Sequence, residues 1–357
     1  MHAGRSGDPP AATLAVDADV TRARTLGKAF YLDPAMFDLA RERVFARSWQ
    51  WIGELTDLAE PGSLSPRTLL PGHLDEPVLL ARDAGGALRC LSNVCTHRGN
   101  PLVHVSCRGT TQIRCGYHSR RFDLDGRMRF MPAFEGAHDF PSPADDLPPV
   151  PFADLGGLLA FASVAPAAPF EEVFAPIEHR LGWLPWSEFV PDAVRSRDYE
   201  FDAHWALYVE NYLEGLHIPS LHPGLMRSLD WRQYRYELHA QGNLQLGLDE
   251  RGAVVAHYFW LFPNLMLNFY PWGLSLNQVL PLAPGRTRVI FRSYVAKPEL
   301  LGQGAGGALD AVEMEDEAAV QSVQRGIRAR AYRGGRYSPQ HERGVHHFHH
   351  LLAQALA

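Results

Sequence analysis

Four cysteines are all that this chain of 357 residues contains, and Cys90, Cys95, Cys107 and Cys115 fall within one stretch of 26. So few, so clustered, exclude a disulfide framework spread over the fold and suit a metal site in a reducing compartment. No apolar run reaches the length of a membrane span, and the opening MHAGRSGDPPAATLAVDADV has neither the basic region nor the apolar stretch of an export signal. The expectation is a cytoplasmic protein with a loose N-terminus. A basic block is lacking too: 34 Lys and Arg against 40 Asp and Glu give a net charge of −6, which excludes a nucleic-acid backbone as main partner. There is no Gly-rich dinucleotide fingerprint, four-Cys ferredoxin pattern, flavin motif or internal repeat, so the chain does not take electrons from NAD(P)H by itself. What remains is ordinary globular composition, 46% hydrophobic and 21% charged, on a length suited to two domains.

The stretch from Cys95 to His118, CTHRGNPLVHVSCRGTTQIRCGYH, holds two mixed arms, C-x-H and C-x2-H, with seventeen residues between them. Structural zinc usually draws homogeneous arms. One thiolate and one imidazole per arm fit a Rieske-type [2Fe-2S] cluster, with Cys95 and Cys115 on one iron and His97 and His118 on the other. Alternating flanks broken at Gly and Asp-Gly turns predict that the ligands sit at hairpin tips of a small antiparallel domain. Cys90 and Cys107 read as small buried residues.

CTHRG followed by CGYH resembles the Rieske domain of the ring-hydroxylating and demethylating Rieske non-haem iron oxygenases. Electron-transfer Rieske proteins carry an extra Cys in each loop; here Asn100 and Gly116-Tyr117 stand at those places, so no such bridge forms. The resemblance implies the low-potential, oxygenase type of cluster.

Downstream, HWALYVENYLEGLHIPSLHPGL reads as a helix from His204 closed at Pro219. Glu210, Asn211, Glu214 and His217 form its polar stripe, and Ala206, Val209, Leu213 and Leu216 the apolar one. His222 lies beyond Pro219, where a turn can bring it to His217. Non-haem Fe(II) sites use two His and one carboxylate, and Glu214, His217 and His222 are similar to the family's mononuclear-iron motif. Many members have Asp at Glu214, and the common NWK opening is here His204-Trp205-Ala206. The third ligand must come from elsewhere. In LDAVEMEDEAAVQSVQRGI, helical spacing of Val312, Ala319, Val320, Val323 and Ile327 turns Asp316 inward, with Glu313 as alternate and Glu315 and Glu317 facing away. The tail GVHHFHHLLAQALA carries His346, His347, His349 and His350; spacing of Val345, Phe348, Leu352 and Leu356 favours a terminal helix over a metal site.

The expected fold class is α+β: an N-terminal segment over residues 1–45 packing on the catalytic domain, a Rieske domain over 46–155, and a catalytic domain over 156–357. DPAMFDLARERVFARSW predicts a helix, the Pro-rich FPSPADDLPPVPFADLGG marks the exit from the cluster domain, and the aromatic, β-branched residues 254–296 predict consecutive antiparallel strands. The resemblance implies a helix-grip-type catalytic domain with a central antiparallel sheet. It further implies a terminal oxygenase that activates O2 at mononuclear Fe(II) beside a small organic substrate, with electrons from NAD(P)H through a separate reductase, with or without a ferredoxin. The family's head-to-tail homotrimer would let Glu214 bridge His118 of one chain to His217 of the next; the alternative is that Glu214 orients His217 within its own chain. Hydroxylation or demethylation is favoured by the Glu214 version of the motif. Ring cis-dihydroxylation is the alternative, and an electron-transfer protein the remote one. Trp205, Tyr208, Phe259, Trp260, Phe269, Tyr270 and Trp272 are candidate pocket aromatics.

Overall fold

The computed structural model describes residues 14–222, 224, 235–303, 306 and 309–357; the opening segment expected to be loose lies largely outside them. The chain divides into two compact units, Phe45–Val190 and the residues up to Val44 together with Pro191–Ala357.

Two short helices open the second of these units, α1 (Lys28–Leu32) and α2 (Pro34–Arg43). The predicted helix in DPAMFDLARERVFARSW is α2, and its start follows from local chemistry: Asp33 accepts from the Ala35 amide, and Pro34 fills the first turn, where an N–H would have no partner.

Phe45–Val190 contains nine strands. These are β1 (Gln50–Glu54), β2 (Leu64–Leu69), β3 (Glu76–Arg82), β4 (Leu88–Ser92), β5 (Ile113–Arg114), β6 (Arg121–Phe122), β7 (Met128–Phe130), β8 (Phe152–Leu155) and β9 (Leu159–Ala162), followed by helix α3 (Phe170–Leu181). They form three three-stranded sheets, β1-β9-β8, β2-β3-β4 and β5-β6-β7. The expected boundary at 155 cuts the first of these. Gln50 pairs with Ala162 and Trp51 with Phe161, so the strand that opens the unit needs β9 as its neighbour, and the unit runs on to Val190. The thiols of Cys95 and Cys115 sit in a core with Leu64, Leu79, Ile113, Phe122 and Met128.

Residues from Pro191 carry β10 (Val190–Phe201), α4 (Trp205–Tyr212), α5 (Ile218–Leu221), β11 (Arg235–His239), β12 (Gly242–Leu248), β13 (Val254–Leu261), β14 (Leu265–Tyr270), β15 (Gly273–Ala283), β16 (Arg286–Val295), α6 (Leu309–Ile327) and α7 (Arg343–Leu356). The seven strands make one sheet in the order β10-β16-β15-β14-β13-β12-β11. The predicted strands after residue 254 are β13 to β16; β10, β11 and β12 were not foreseen. Register decides what this sheet presents. Tyr258 pairs with Asn268, Asn268 with Ser275, and Ser275 with Ser293, so four polar side chains run in one row across four strands. Leu267, Phe269, Leu274 and Leu276 alternate with them and are buried. A row of buried polar groups within a sheet marks a surface built for something other than a dry core.

The tail forms α7, as its spacing predicts. Its histidines bond to protein: His346 and His350 to the Asp17 carbonyl, His347 to that of His239, and His349 to Glu210 and Tyr337.

Candidate active site

The two cluster-arm loops have the same construction. In the first, the Cys95 amide donates to the Asn100 carbonyl and the Gly99 amide to that of Cys95; in the second, Cys115 donates to Arg120 and Ser119 to Cys115. Each loop thus closes on itself five residues after its cysteine. The residue four after each cysteine, Gly99 or Ser119, takes positive φ, +68° and +59°. Gly99 suits that conformation without strain, whereas Gly116 has no such need.

A latch absent from the sequence reading holds the loops together. Asp145, in the Pro-rich passage, accepts from Thr96 of the first loop through its carbonyl and from the buried Arg120 of the second through its carboxylate, at 2.7 Å each. Arg120 beside it, and the Ser142 amide, hold the Asp145 carboxyl below its usual range against the opposing effect of burial.

The four donors suit a [2Fe-2S] cluster. The cysteines are buried, while the His97 and His118 rings stand edge-to-face at 4.7 Å and are partly exposed. The His97 Nδ1 is buried without a hydrogen-bond partner among the described residues, and burial and His118 push its imidazole toward the neutral, ligating form. Burial alone would raise the Cys115 thiol, but the Tyr117 and His118 amides and the Cys95 and Asn100 side chains bring it below its ordinary value, toward thiolate. Cys90 is buried, with its thiol pushed up to about 12 by burial. Cys107 is exposed, contrary to expectation.

Helix α4 begins at a built cap. His204 accepts from the Ala206 amide, donates its own backbone N–H to Gln324 Oε1 at 2.8 Å, and packs against the Phe30 and Tyr31 rings. Burial pushes its imidazole down to about 3, so it stays a neutral acceptor. The helix ends at Tyr212 rather than running on to Pro219. Gln245 donates to the Tyr212 carbonyl, Tyr236 OH accepts from the Gly215 amide, and a side chain at Gly344 would meet the Leu213 carbonyl at 2.5 Å. These contacts stop the helix where the sequence has no breaker. Two corrections follow. Leu216 is 44% exposed instead of joining the apolar stripe, and Glu210 leaves the polar stripe to accept from Tyr31 OH and His349. Pro219 lies in the first turn of the short α5.

The freed segment brings its histidines to α6. Ligand atoms of His217, His222 and Asp316 lie within 4.8 Å of one another. Asp316 Oδ1 is 2.9 Å from His222 Nε2 and 3.7 Å from His217 Nε2, and the two rings are nearly perpendicular at 85°. Each imidazole has its other nitrogen on a carboxylate: His217 Nδ1 on Glu214 Oε1 at 2.5 Å, and His222 Nδ1 on Glu315 Oε2 at 2.6 Å. A carboxylate on the far nitrogen fixes the tautomer and ring plane of a metal-binding histidine. Burial would lower the His222 imidazole, but bonds to Asp316 and Glu315 hold it above its ordinary value; a proton and a metal ion compete for that site. Glu214 also accepts from the Leu216 and His217 amides, capping the turn that carries His217.

Glu315 is therefore a correction, since helical spacing turned it away. The inner face of α6 is Glu313, Val320, Gln324 and Ile327, while Val323 is 50% exposed. Glu313, the alternate ligand, is outside the three-residue group; its Oε2 accepts from Tyr208 OH at 2.7 Å. Glu315→Gln is expected to weaken iron retention at the three-residue site by about 10- to 100-fold, read as iron lost during graded chelator dialysis, with the cluster spectrum unchanged.

Above these residues lies a cavity of about 120 Å³, room for about four waters at ~30 Å³ each. Asn211, Glu214, His217, His222, Glu313 and Asp316 line it on the helix side, and Tyr258, Asn268, Tyr270, Ser275, Asn277 and Phe291 on the sheet side. Of the expected aromatics, Tyr208 and Tyr270 line it, while Trp205, Phe259, Trp260, Phe269 and Trp272 are buried outside its lining. Tyr212, Tyr258 and Phe291 were missed; for the last two the period-2 alternation of β13 and β16 was the available signal.

Known proteins resemble both parts of the chain. Residues 48–141 match the Rieske [2Fe-2S] domain, and residues 192–357 match the ring hydroxylating alpha subunit (catalytic domain). The chain is 30% identical to the chloroplastic choline monooxygenase of Arabidopsis thaliana over 93% of this chain and 82% of that one. It is also 30% identical to the carnitine monooxygenase oxygenase subunit of Escherichia coli (strain K12), over 94% and 95%. A quaternary ammonium Rieske monooxygenase solved with L-carnitine superposes with a TM-score of 0.77 at 26% identity, covering 95% of this chain and 97% of that one. Naphthalene 1,2-dioxygenase from Rhodococcus sp. shares the fold, with a TM-score of 0.69 at 18% identity and 93% of each chain covered. Among the described residues no helix is long and apolar enough to cross a membrane. The chain belongs to the Rieske non-haem iron oxygenases as an oxygenase α subunit, an oxidoreductase that works with a Rieske [2Fe-2S] cluster, a mononuclear iron and separate electron-transfer partners.

Proposed function

We propose that this oxygenase hydroxylates an N-alkyl group of a small ammonium compound, releasing the alkyl carbon as an aldehyde when the carbinolamine collapses. One observation carries the reading: His217, His222 and Asp316 converge at the floor of a cavity walled by tyrosines, with a carboxylate behind each imidazole. The two 30% relatives are named for choline and carnitine, both ammonium compounds, which supports the substrate class. The likeness to naphthalene 1,2-dioxygenase, at 18% identity, supports the fold and not the substrate.

In this reading Cys95 and Cys115 hold one iron of the cluster and His97 and His118 the other, while His217, His222 and Asp316 hold the mononuclear iron. Iron bound there supplies dioxygen activation, consuming electrons that a separate reductase draws from NAD(P)H. The chain's own residues set the conditions. Glu214 and Glu315 keep each imidazole turned toward Asp316, and Asn211, Asn268 and Asn277 give the cavity polar contacts among aromatic walls. Tyr212 OH, on the cavity wall, donates to Asn268 across it. The cysteines lie in the small unit's core and the histidines are partly exposed, so electrons leave on the histidine side.

A head-to-tail homotrimer in the cytoplasm would place His118 of one chain by Glu214 of the next. Glu214→Gln, loaded with excess iron so that both metals are in place despite weaker retention, is then expected to slow single-turnover oxidation of the reduced cluster by about tenfold or more, because a charge-assisted hydrogen bond becomes a neutral one. Oxidation at the wild-type rate would leave Glu214 as the orienting partner of His217 alone. The substrate reading is tested with a surrogate reductase, measuring aldehyde release across choline, betaines, methylamines and methoxy-aromatics, with oxygen uptake on aromatic acids in parallel. Aldehyde from ammonium compounds is expected. A cis-diol with no aldehyde from any methylated compound would overturn the reading.

A further inference from the structure

Glu313 is a buried acid to which iron binding gives no task. It stands on α6 one turn before Asp316, is 5% exposed and lines the cavity. Tyr208 OH occupies its Oε2, and its Oε1 has no hydrogen-bond partner among the described residues. Burial, with the charges of Asp316 and Glu317 adding to it, holds this carboxyl well above the usual range despite the Tyr208 bond. A carboxyl kept in such a place, beside other acids, is destabilising unless something compensates, and an uncharged side chain of the same shape would be cheaper to bury. Among the described residues lining the cavity no Lys or Arg does so, and the two histidines there, His217 and His222, are turned to Asp316. What does face it is aromatic. Tyr208, Tyr212, Tyr258, Tyr270 and Phe291 line the same space, and ring faces attract cations as a carboxylate does.

We propose that Glu313 is the charge-selecting residue of this cavity, its carboxylate standing against the positive nitrogen of the substrate while the tyrosine rings enclose the alkyl groups. Tyr208 holds one carboxyl oxygen and leaves the other for the ligand. The inference rests on the ammonium reading above and adds to it the residue that separates a cation from a neutral molecule of the same shape.

The test uses such a pair, choline and 3,3-dimethylbutan-1-ol, in which a tert-butyl group replaces trimethylammonium. Dissociation constants are measured by calorimetry on anaerobic, iron-loaded wild type and Glu313→Gln. Glutamine keeps the volume and an acceptor for Tyr208, removes the charge, and turns the other oxygen into an amide donor. The wild type is expected to prefer choline, and the variant to lose at least about tenfold of that preference through weaker choline binding alone, with iron content and cluster spectrum as in wild type. Glu313→Asp, which keeps the charge, is expected to keep the preference; should the glutamine variant misfold, loss of preference in Glu313→Asp refutes the proposal by itself. A glutamine variant with the wild-type preference, or one that weakens both ligands equally, overturns charge selection and leaves the ammonium reading standing. A wild type that binds the neutral alcohol as well as choline overturns both.

Discussion

Asp316→Ala is expected to lose the iron that does not belong to the cluster, and substrate turnover with it, while the cluster's visible spectrum stays as in wild type. The reason is geometric. Asp316 Oδ1 faces both imidazoles, at 2.9 Å and 3.7 Å, and is the carboxylate of the three-residue group. Loss of a residue behind a ligand costs metal affinity about 10- to 100-fold, and loss of a ligand exceeds that. His217 and His222 would remain oriented by Glu214 and Glu315, so the fold around them should persist. Iron analysis, cluster absorbance and product formation on one preparation separate the outcomes. An Asp316→Ala protein with full activity would show that Asp316 is not the third ligand.

The second large effect belongs to the small unit. Cys115→Ser is expected to abolish the cluster's absorbance and reductase-driven turnover while leaving the mononuclear iron in place. The Cys115 sulfur is drawn toward thiolate by two amides and accepts from Asn100 Nδ2 at 3.7 Å; a serine hydroxyl in that apolar core stays protonated and binds iron poorly. Metal analysis should find iron at His217, His222 and Asp316 in a protein that the reductase cannot drive. A serine variant with an unchanged visible spectrum would contradict the ligand set.

Much of the two sites was legible because their ligands are local. Cys95 and His97, and Cys115 and His118, lie within a few residues, so their spacing points to them; His217 and His222, a weak pair by spacing alone, came with the family's motif around Glu214. The groups that organise the ligands were not legible. Asp145 reaches Thr96 and Arg120 across 49 and 25 residues, from a passage whose prolines read as a linker. Glu315 was turned away by a pattern argument that took Val323 as inward; the inner face of α6 instead holds Gln324, bonded to the His204 amide, and Glu313, bonded to Tyr208. Hydrophobic spacing misplaces a helix face when polar residues fill it for tertiary reasons. The end of α4 was hidden likewise, since it is set by Gln245, Tyr236 and Gly344. The boundary at 155 failed because β9 pairs with a strand more than a hundred residues earlier, which composition does not reveal.

That the two iron sites act in sequence is tested most directly by one turnover without a reductase. The protein is reduced chemically under anaerobic conditions, freed of reductant, and mixed with dioxygen and choline, following cluster absorbance by stopped flow and product by quenched sampling. The account predicts that cluster oxidation and product formation share one rate and that product does not exceed the mononuclear iron present. Oxidation of the cluster with no product, or product formed while the cluster stays reduced, would contradict it.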